Sequence, residues 1–495
     1  MAGPTEKTLA DLGLAAASGQ EARITGLSVD SRNVKPGHLF AALPGSRVHG
    51  GEFIQYALRM DAAAILTDAE GARRAAEPLA SSSAALVVVE DPRAALAYAS
   101  ALWFGAQPET MVAVTGTNGK TSVASFTRQI WQALGLPAVS VGTTGVEGEW
   151  EAPLSHTTPE PITLHRTLAE AAAAGITHAA MEASSHGLAQ RRLDGVRLAA
   201  AGFTNITQDH LDYHAGFEDY FAAKAGLFTR VLGEEGIAVV NVDGANGPRM
   251  VEVAEQAGHE VIRVGRSETC PLRLMALRFS PTGQEMRFTW NGTPHQAALS
   301  LIGGFQAENV LVAAGLAIAA GADPAEVWAC LPRLKGVRGR MQLAATRENG
   351  AAVFVDYAHT PDALATALKA LRPHVMGRIV CVFGAGGDRD RGKRPLMGQA
   401  VVTHADVAIV TDDNPRTEDP AEIRAAILAA CPEATEVGDR AEAILRGVDA
   451  LGPGDALLIA GKGHETGQVV GDVTYPFDDA EQASVAVAAL DGRVS

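Results

Sequence analysis

At 495 residues the chain is too long for one ordinary core, and about 100 to 200 residues per domain predicts three domains. A formal net charge of −16, from 57 acidic against 41 basic side chains, excludes an extended nucleic-acid or anionic-membrane partner, because binding phosphates over a broad surface needs clustered Lys and Arg. With 47% apolar and 20% charged residues the composition is that of a globular protein, and Cys270, Cys330, Cys381 and Cys431 lie too far apart for a zinc knuckle or a disulfide framework.

Residues 1–20 carry Glu6, Lys7 and Asp11 among scattered Ala and Leu, not the apolar stretch of a signal peptide. The longest apolar run, residues 310–322, is too short to cross a bilayer. The expectation is a cytoplasmic protein. Up to residue 107, strand-like runs at Leu39–Leu43, Ala64–Thr67 and Leu86–Val89 alternate with Ala-rich helical stretches, the pattern of a small α/β domain. Asp30-Ser31-Arg32 and Gly45-Ser46-Arg47 fall in polar loops beside those strands and read, taken alone, as solvated turns. Gln107-Pro108-Glu109 looks like a linker, which places the second domain at 108–336.

That domain opens on the apolar run Val112-Ala113-Val114, which breaks into Thr115-Gly116-Thr117-Asn118-Gly119-Lys120-Thr121-Ser122 and then a helix. Gly116 and Gly119 let backbone approach an anion, the helix N-terminus points N–H groups at it, Lys120 adds a charge, and Thr121 offers a hydroxyl to Mg²⁺. The strict phosphate-loop pattern has a further Gly where Val114 stands, so this is a shortened variant. The bland alternative is an ordinary strand-turn-helix connection. The helix from Thr121 should stop near Gly135 and Pro137, with strands at Ala138–Val141, His178–Glu182, Ala199–Ile206 and Ile237–Val242. Glu182 ends its strand and leads into Ser184-Ser185-His186-Gly187, a carboxylate and hydroxyls at the edge where the ion belongs. Asp209-His210-Leu211-Asp212-Tyr213-His214 is a second metal-type cluster, read as magnesium rather than zinc for want of cysteine, or else as surface histidines capping a helix. Lys224, in a helical stretch, reads on its own as a solvent-facing lysine. Between residues 273 and 301 shorter polar alternation and Asn291-Gly292 signal hairpins, and a helix follows from Ala307 to Ala320.

The third domain, 337–495, repeats strand and helix through Val353–Asp356, Arg378–Phe383, Val407–Thr411 and Ala456–Ala460. Each strand runs into a polar cluster: Asp356-Tyr357-Ala358-His359, Gly386-Gly387-Asp388-Arg389-Asp390, Asp412-Asp413-Asn414-Pro415-Arg416 and Gly461-Lys462-Gly463-His464-Glu465. Ligands of open α/β sheets bind beyond the carboxyl ends of the strands, so the clusters predict one composite site. Pro361, Pro395 and Pro420 lie near helix starts.

The phosphate loop, Met181–Leu188, Asn205 with 209–214, Asp356–Pro361 and Asp413–Arg416, in that order, resemble the Mur ligases, and among them the branch that adds the third amino acid. The resemblance implies three α/β domains, a central P-loop ATPase-like parallel sheet flanked by an N-terminal α/β domain and a C-terminal Rossmann-like domain. It implies a monomer of the cytoplasm, working in peptidoglycan precursor synthesis. Its reaction joins meso-diaminopimelate to UDP-MurNAc-L-Ala-D-Glu with ATP and Mg²⁺: a carboxylate attacks the γ-phosphate and the incoming amine takes the acyl phosphate.

Carried over by motif, Gly116, Thr117, Asn118, Gly119, Lys120, Thr121, Ser122, Asn309, Arg340, Asp356 and His359 bind ATP. Thr121, Glu182, His210 and a carboxylated Lys224 hold the metal, and Lys120, Glu182, His210 and Lys224 make up the catalytic set. Val29, Ser31, Ser46, Arg47, Val48, Thr157, Thr158, Ser184, Gln190 and Arg192 hold the UDP-MurNAc-dipeptide. Arg389, Asp413, Asn414, Pro415, Arg416, Gly461 and Glu465 hold diaminopimelate. Ser122 stands where a second Thr is usual, and His156 precedes the Thr pair where Asn is familiar. The nearest rival is a folylpolyglutamate synthetase; the rival from another class is a P-loop switch or motor ATPase. A GTPase would carry an Asn-Lys-x-Asp motif, which is missing, and a motor would leave the third domain's clusters unexplained.

Overall fold

A computed structural model describes residues 6–45, 48–207 and 214–492. The chain divides into two compact units, residues 1–264 with 312–324 and residues 265–311 with 325–495.

Among the described residues the first unit holds an antiparallel pair, Lys7–Thr8 with Arg23–Ile24, and two larger sheets. One is parallel, with the strands Gly26–Ser28, His38–Ala41, Ala64–Thr67 and Ala85–Val88 side by side in chain order. The second runs, in spatial order, Val261–Gly265, Ile237–Asn241, Ala200–Phe203, Thr110–Thr115, His178–Glu182, Ala138–Gly142 and Gly145–Gly148, parallel except for the last pair. Its inner strands are buried along their length, as a sheet covered on both faces requires. The core packs Met111, Val139, Met181, Phe203, Tyr220 and Phe228 together. Thr110–Thr115 lies between His178–Glu182 and Ala200–Phe203, which brings Glu182 and the residues after Phe203 to either side of the phosphate loop. The strand expected over Ala199–Ile206 is regular over Ala200–Phe203; beyond it the Thr204 N–H still donates to the Thr115 carbonyl at 3.1 Å, while Thr204 Oγ1 donates to the Asn118 carbonyl at 2.6 Å and Asn205 Oδ1 accepts from the Asn118 N–H at 3.0 Å, so both side chains turn to the loop.

In the second unit, residues 272–299 form the expected hairpins, with Asn291 and Gly292 both at positive φ in the turn between Gly283–Trp290 and Thr293–Leu299. The remaining sheet orders Gln342–Thr346, Ala352–Asp356, Ala456–Ala460, Ile379–Phe383, Val407–Val410 and Thr435–Glu436, parallel apart from its first strand. Apolar clusters cover both faces, one around Phe354, Leu368 and Met397, the other around Val382, Ile444 and Val487. Because the strands run parallel, the clusters after residues 356, 383, 410 and 460 share one edge. Pro361 and Pro420 open their helices and Pro395 sits in the first turn of Lys393–His404. No described helix is long and apolar enough to cross a membrane.

Arg440 and Asp479 form a fully buried pair, with Nε to Oδ1 at 2.7 Å and Nη2 to Oδ2 at 2.6 Å. The same guanidinium donates to the carbonyls of Ala460 and Asp412, tying two site-bearing loops to the helix Asp479–Leu490. Breaking such a pair strands a buried charge, whereas replacing both partners by apolar groups does not. Arg440→Met is expected to cost about 3–5 kcal/mol in urea unfolding, and Arg440→Met with Asp479→Leu to recover most of it; equal losses in both variants would contradict this account.

Candidate active site

The phosphate loop is held from inside by its own lysines. Lys120 Nζ donates to the carbonyls of Gly116 and Thr117, each at 2.9 Å, and Lys224 Nζ donates to the same Gly116 carbonyl at 2.7 Å. Lys224 is 1% exposed and lies over the Tyr220 ring at 4.6 Å, so the solvent-facing reading of its helical neighbourhood is corrected. Its helix, Phe217–Gly226, turns it inward beside Tyr220 and Phe221, and the apolar packing of that face decides its direction. Tyr220 OH meets Thr117 Oγ1 at 3.0 Å. Gly116 has φ 152°, and a Cβ there would lie 3.0 Å from the Asn205 carbonyl oxygen, so no side chain fits. Gly119 caps the helix Lys120–Ala133 at φ 89°.

Glu182 is the hinge between that loop and a second cluster. Its Oε2 accepts from Thr121 Oγ1 at 3.0 Å and its Oε1 from the Thr143 N–H at 2.7 Å. Thr143 Oγ1 touches Thr157 Oγ1 at 3.0 Å, and Thr158 Oγ1 donates to the Glu182 carbonyl at 2.9 Å while accepting from the Ser184 N–H at 3.1 Å. Arg192 donates to the Thr158 carbonyl at 2.6 Å and to Gln190 Oε1 at 2.8 Å. Thr157, Thr158, Ser184, Gln190 and Arg192, separated by up to 35 positions, thus form one surface beside Glu182. Thr143 had no part in the sequence reading. Its signal is the Gly142-Thr143-Thr144-Gly145 turn after a buried strand.

The hydroxyl of Thr121 and the carboxylate of Glu182 are oxygen donors of the kind Mg²⁺ prefers, and such an ion keeps waters and phosphate oxygens for its remaining positions. Among the described residues no three His, Cys, Asp or Glu side chains gather into a metal cage. His210, with Asp209 and residues 211–213, lies outside the described residues, as do Ser46 and Arg47. Val29 and Val48 are exposed on loops that follow the parallel strands Gly26–Ser28 and His38–Ala41, and Ser31 opens a short turn capped by Asp30.

In the second unit, Asp356 accepts the N–H groups of Met341 at 2.7 Å and Ala358 at 2.8 Å; burial pushes its carboxyl upward against Arg340 and those N–H groups. Arg340 lies over the Tyr357 ring at 4.8 Å. His359 Nδ1 donates to the Tyr357 carbonyl at 2.8 Å, and burial lowers its pKa. Asn309 is buried and donates to Gln306.

At the same sheet edge Arg416 has φ 51° and donates through Nη1 to the Gly387 carbonyl at 2.8 Å. Its acidic neighbours are both engaged elsewhere: Asp412 pairs with Arg424, and Glu418 with Arg394 at 2.8 Å and Arg391 at 3.0 Å. Arg416 and the exposed Arg389 have no carboxylate partner among the described residues, and both flank Gly386, whose Cβ would meet Arg416 Nη1 at 2.8 Å and Arg389 Cγ at 3.8 Å. Asn414 Nδ2 donates to Glu465 Oε2 at 2.9 Å, and a Cβ on Gly461 would lie 2.8 Å from Asp413 Oδ2. Asp413, Asn414, Pro415, Arg416, Gly461 and Glu465 therefore converge.

Three family models match the chain: Mur ligase family, catalytic domain, over residues 23–103; Mur ligase middle domain, over 114–317; and Mur ligase, glutamate ligase domain, over 339–463. The UDP-N-acetylmuramoyl-L-alanyl-D-glutamate–2,6-diaminopimelate ligase of Brucella melitensis biotype 1 is 48% identical over 477 residues, which are 96% of each chain. The ligase of that name from Caulobacter vibrioides is 50% identical over 475 residues, 94% of this chain and 96% of its own. The chain belongs to the Mur ligase family. A solved structure of a ligase with the same name covers 94% of this chain and 95% of that one at 34% identity, with a TM-score of 0.71. Mycobacterium tuberculosis folylpolyglutamate synthase complexed with ADP shares the fold, with a TM-score of 0.61 at 19% identity over 75% of this chain and 92% of that one.

Two outcomes follow from this geometry. A Cβ on Gly142 would lie 2.7 Å from the Glu182 Cγ and Cδ atoms, so Gly142→Ala should displace the carboxylate from Thr121 and remove at least about 90% of ATP-dependent turnover while near-UV circular dichroism stays native. Glu418 is held at a pKa of about 2 by Arg394 and the Asp388 N–H, below the ordinary 4.5. A depressed carboxylate stabilises the fold above its ordinary value and stops doing so as pH falls through the folded one. Glu418→Gln should therefore lower Tm at pH 7, the gap to wild type closing as pH drops from 4.5 to about 2.

Proposed function

We propose that the chain ligates meso-diaminopimelate to the D-Glu carboxylate of UDP-MurNAc-L-Ala-D-Glu, with ATP cleaved to ADP and phosphate, in peptidoglycan precursor synthesis in the cytoplasm. The observation that carries the reading is the Arg416 guanidinium at the strand-end cluster, one arm on the Gly387 carbonyl and its acidic neighbours taken by other arginines. The names of the relatives, at about half identity over nearly full length, support it. The three matched segments support functional divisions at 1–107, 108–336 and 337–495.

In this mechanism a carboxylate, a poor acylating group, acquires a leaving group by attacking the γ-phosphorus of ATP. Lys120 compensates charge on the phosphoryl group in flight; its carbonyl partners are neutral acceptors that a phosphate oxygen outcompetes. Loop N–H groups and the start of the helix at Lys120 hold the remaining phosphate oxygens. Thr121 and Glu182, with His210, are the proposed holders of Mg²⁺, which when bound supplies charge neutralisation at the phosphates. The burial of Lys224 against the loop supports its assignment as a carbamate, formed when the neutral amine adds to CO₂ and releases one proton. Thr157, Thr158, Ser184, Gln190 and Arg192 orient the dipeptide, with Val29, Ser31, Ser46, Arg47 and Val48 at the uridine end. Asn309, Arg340, Asp356 and His359 are assigned to the nucleotide.

Lysine and diaminopimelate share an amine-bearing chain, but only diaminopimelate carries a distal carboxylate. Arg416 and Arg389 match that carboxylate and Glu465 the distal ammonium. Lysine should leave Arg416 unpaired, a discrimination of about a hundredfold or more in kcat/KM. Assays with both amino acids test this: Arg416→Ala should collapse the preference, and a wild type that used lysine equally well would refute the assignment. Lys120→Ala should abolish ligation; near-normal turnover that still requires ATP would remove the phosphate loop from the mechanism.

A further inference from the structure

Behind the Asp413–Arg416 turn lies a cation to which the proposed reaction gives no role. Lys462 is fully buried, and its Nζ donates to Asn414 Oδ1 at 2.6 Å and to the Gly467 carbonyl at 2.8 Å. It also lies 3.4 Å from Asp413 Oδ1 and 3.6 Å from Glu465 Oε2. Asp413 Oδ1 is buried and accepts no hydrogen bond, so the nearby ammonium compensates it.

The contacts fix one arrangement. Asn414 Oδ1 accepts from Lys462 and from the Val469 N–H at 3.0 Å, which turns the Asn414 amide nitrogen toward Glu465. The first strand and turn of the hairpin Gly467–Val470 with Val473–Pro476 are bound to the 413–416 turn. Gln468 Nε2 donates to the Asp413 carbonyl at 2.7 Å, the Arg416 N–H donates to the Val469 carbonyl at 3.0 Å, and the Gly471 N–H donates to the Arg416 carbonyl at 2.7 Å. Both backbone groups of Arg416 are thus spent in holding it at φ 51°, a left-handed conformation that a side chain adopts when its surroundings over-determine it.

We infer that Lys462 is a positioning residue for the amino-acid site: its ammonium joins Asn414, Glu465 and the 467–476 hairpin into one clasp that aims Glu465 and Arg416 at the ammonium and the carboxylate of the amino acid's distal end. The inference rests on the proposed function. An apolar residue of the same length would leave Asn414 Oδ1 and the Gly467 carbonyl short of a donor and Asp413 and Glu465 without the ammonium that both now face. The Asn414 amide would then be free to flip and the carboxylates to separate.

The test is steady-state kinetics of the full chain and of Lys462→Met and Gln468→Met, with KM measured separately for meso-diaminopimelate, ATP and UDP-MurNAc-L-Ala-D-Glu. Lys462→Met should raise KM for diaminopimelate by about tenfold or more and erode the preference over lysine, with the other two KM values within about twofold of wild type. Gln468→Met, which loosens the hairpin without touching the buried charge, should shift the same constant in the same direction by about threefold and decides the matter if Lys462→Met fails to fold. Unchanged diaminopimelate KM and unchanged preference in a folded Lys462→Met, or in Gln468→Met where the first does not fold, overturn the inference. A uniform fall in kcat with all KM values retained overturns it too, because that is what loosened folding alone produces. Failure of the wild type to use diaminopimelate refutes the proposed function instead, so the two outcomes are distinguishable.

Discussion

Two ammonium groups, from Lys120 and Lys224, meet at one carbonyl oxygen, that of Gly116. One backbone oxygen thus fixes both side chains against the loop. The middle sheet serves this point. Its central strand ends at Thr115, its neighbours deliver Glu182 on one side and Thr204 with Asn205 on the other, and glycine at 116 and 142 leaves room for backbone and carboxylate to approach. From Glu182 the same contacts run through Thr143 to Thr157 and Thr158, so the proposed holder of the metal and the proposed holders of the dipeptide share one carboxylate. A shift at either is felt at the other.

The second unit solves a different problem with the same topology. Under the proposed function its strand-end loops recognise an amino acid, and those loops are polar. They are held by buried charges: Arg440 with Asp479 beneath, Lys462 with Asp413 and Glu465 within. Such pairs contribute little net stability, since desolvating both partners costs about what their attraction returns. Here they fix geometry, because a guanidinium that bonds Asp479 and also reaches two loop carbonyls leaves those loops a single position. Competition among charges then sets which groups stay available. Asp412 and Glu418 are claimed by Arg424 and Arg394, and Arg416 has no carboxylate partner among the described residues.

Much of this was legible in the sequence. Short apolar runs bounded by polar residues or glycine located the inner strands, and the strands at Ala64–Thr67, His178–Glu182 and Ala456–Ala460 fall on the expected residues. A glycine-lysine-threonine turn between strand and helix announces anion binding because backbone conformation and charge are local properties. The clusters after the third domain's strands share an edge because parallel pairing leaves no other place for them.

What the sequence by itself determined was therefore what depends on neighbours along the chain: strand and helix, turn chemistry, and which residue types stand at strand ends. Tertiary structure alone decided which of those residues meet, and what each is worth when it arrives. Lys224 reads as a surface lysine from its own helix and becomes a buried cation because Tyr220 and the Gly116 carbonyl, 108 positions away, enclose it. Arg416 sits between Asp412 and Glu418 in the chain, yet Arg424 and Arg394 take those carboxylates. Lys462 lies in a glycine-rich loop that gives no hint of burial, and its charge is matched by Asp413 and Asn414 across the sheet edge. Burial and charge pairing are properties of the space around a side chain, and that space is built from segments which the order of residues keeps far apart.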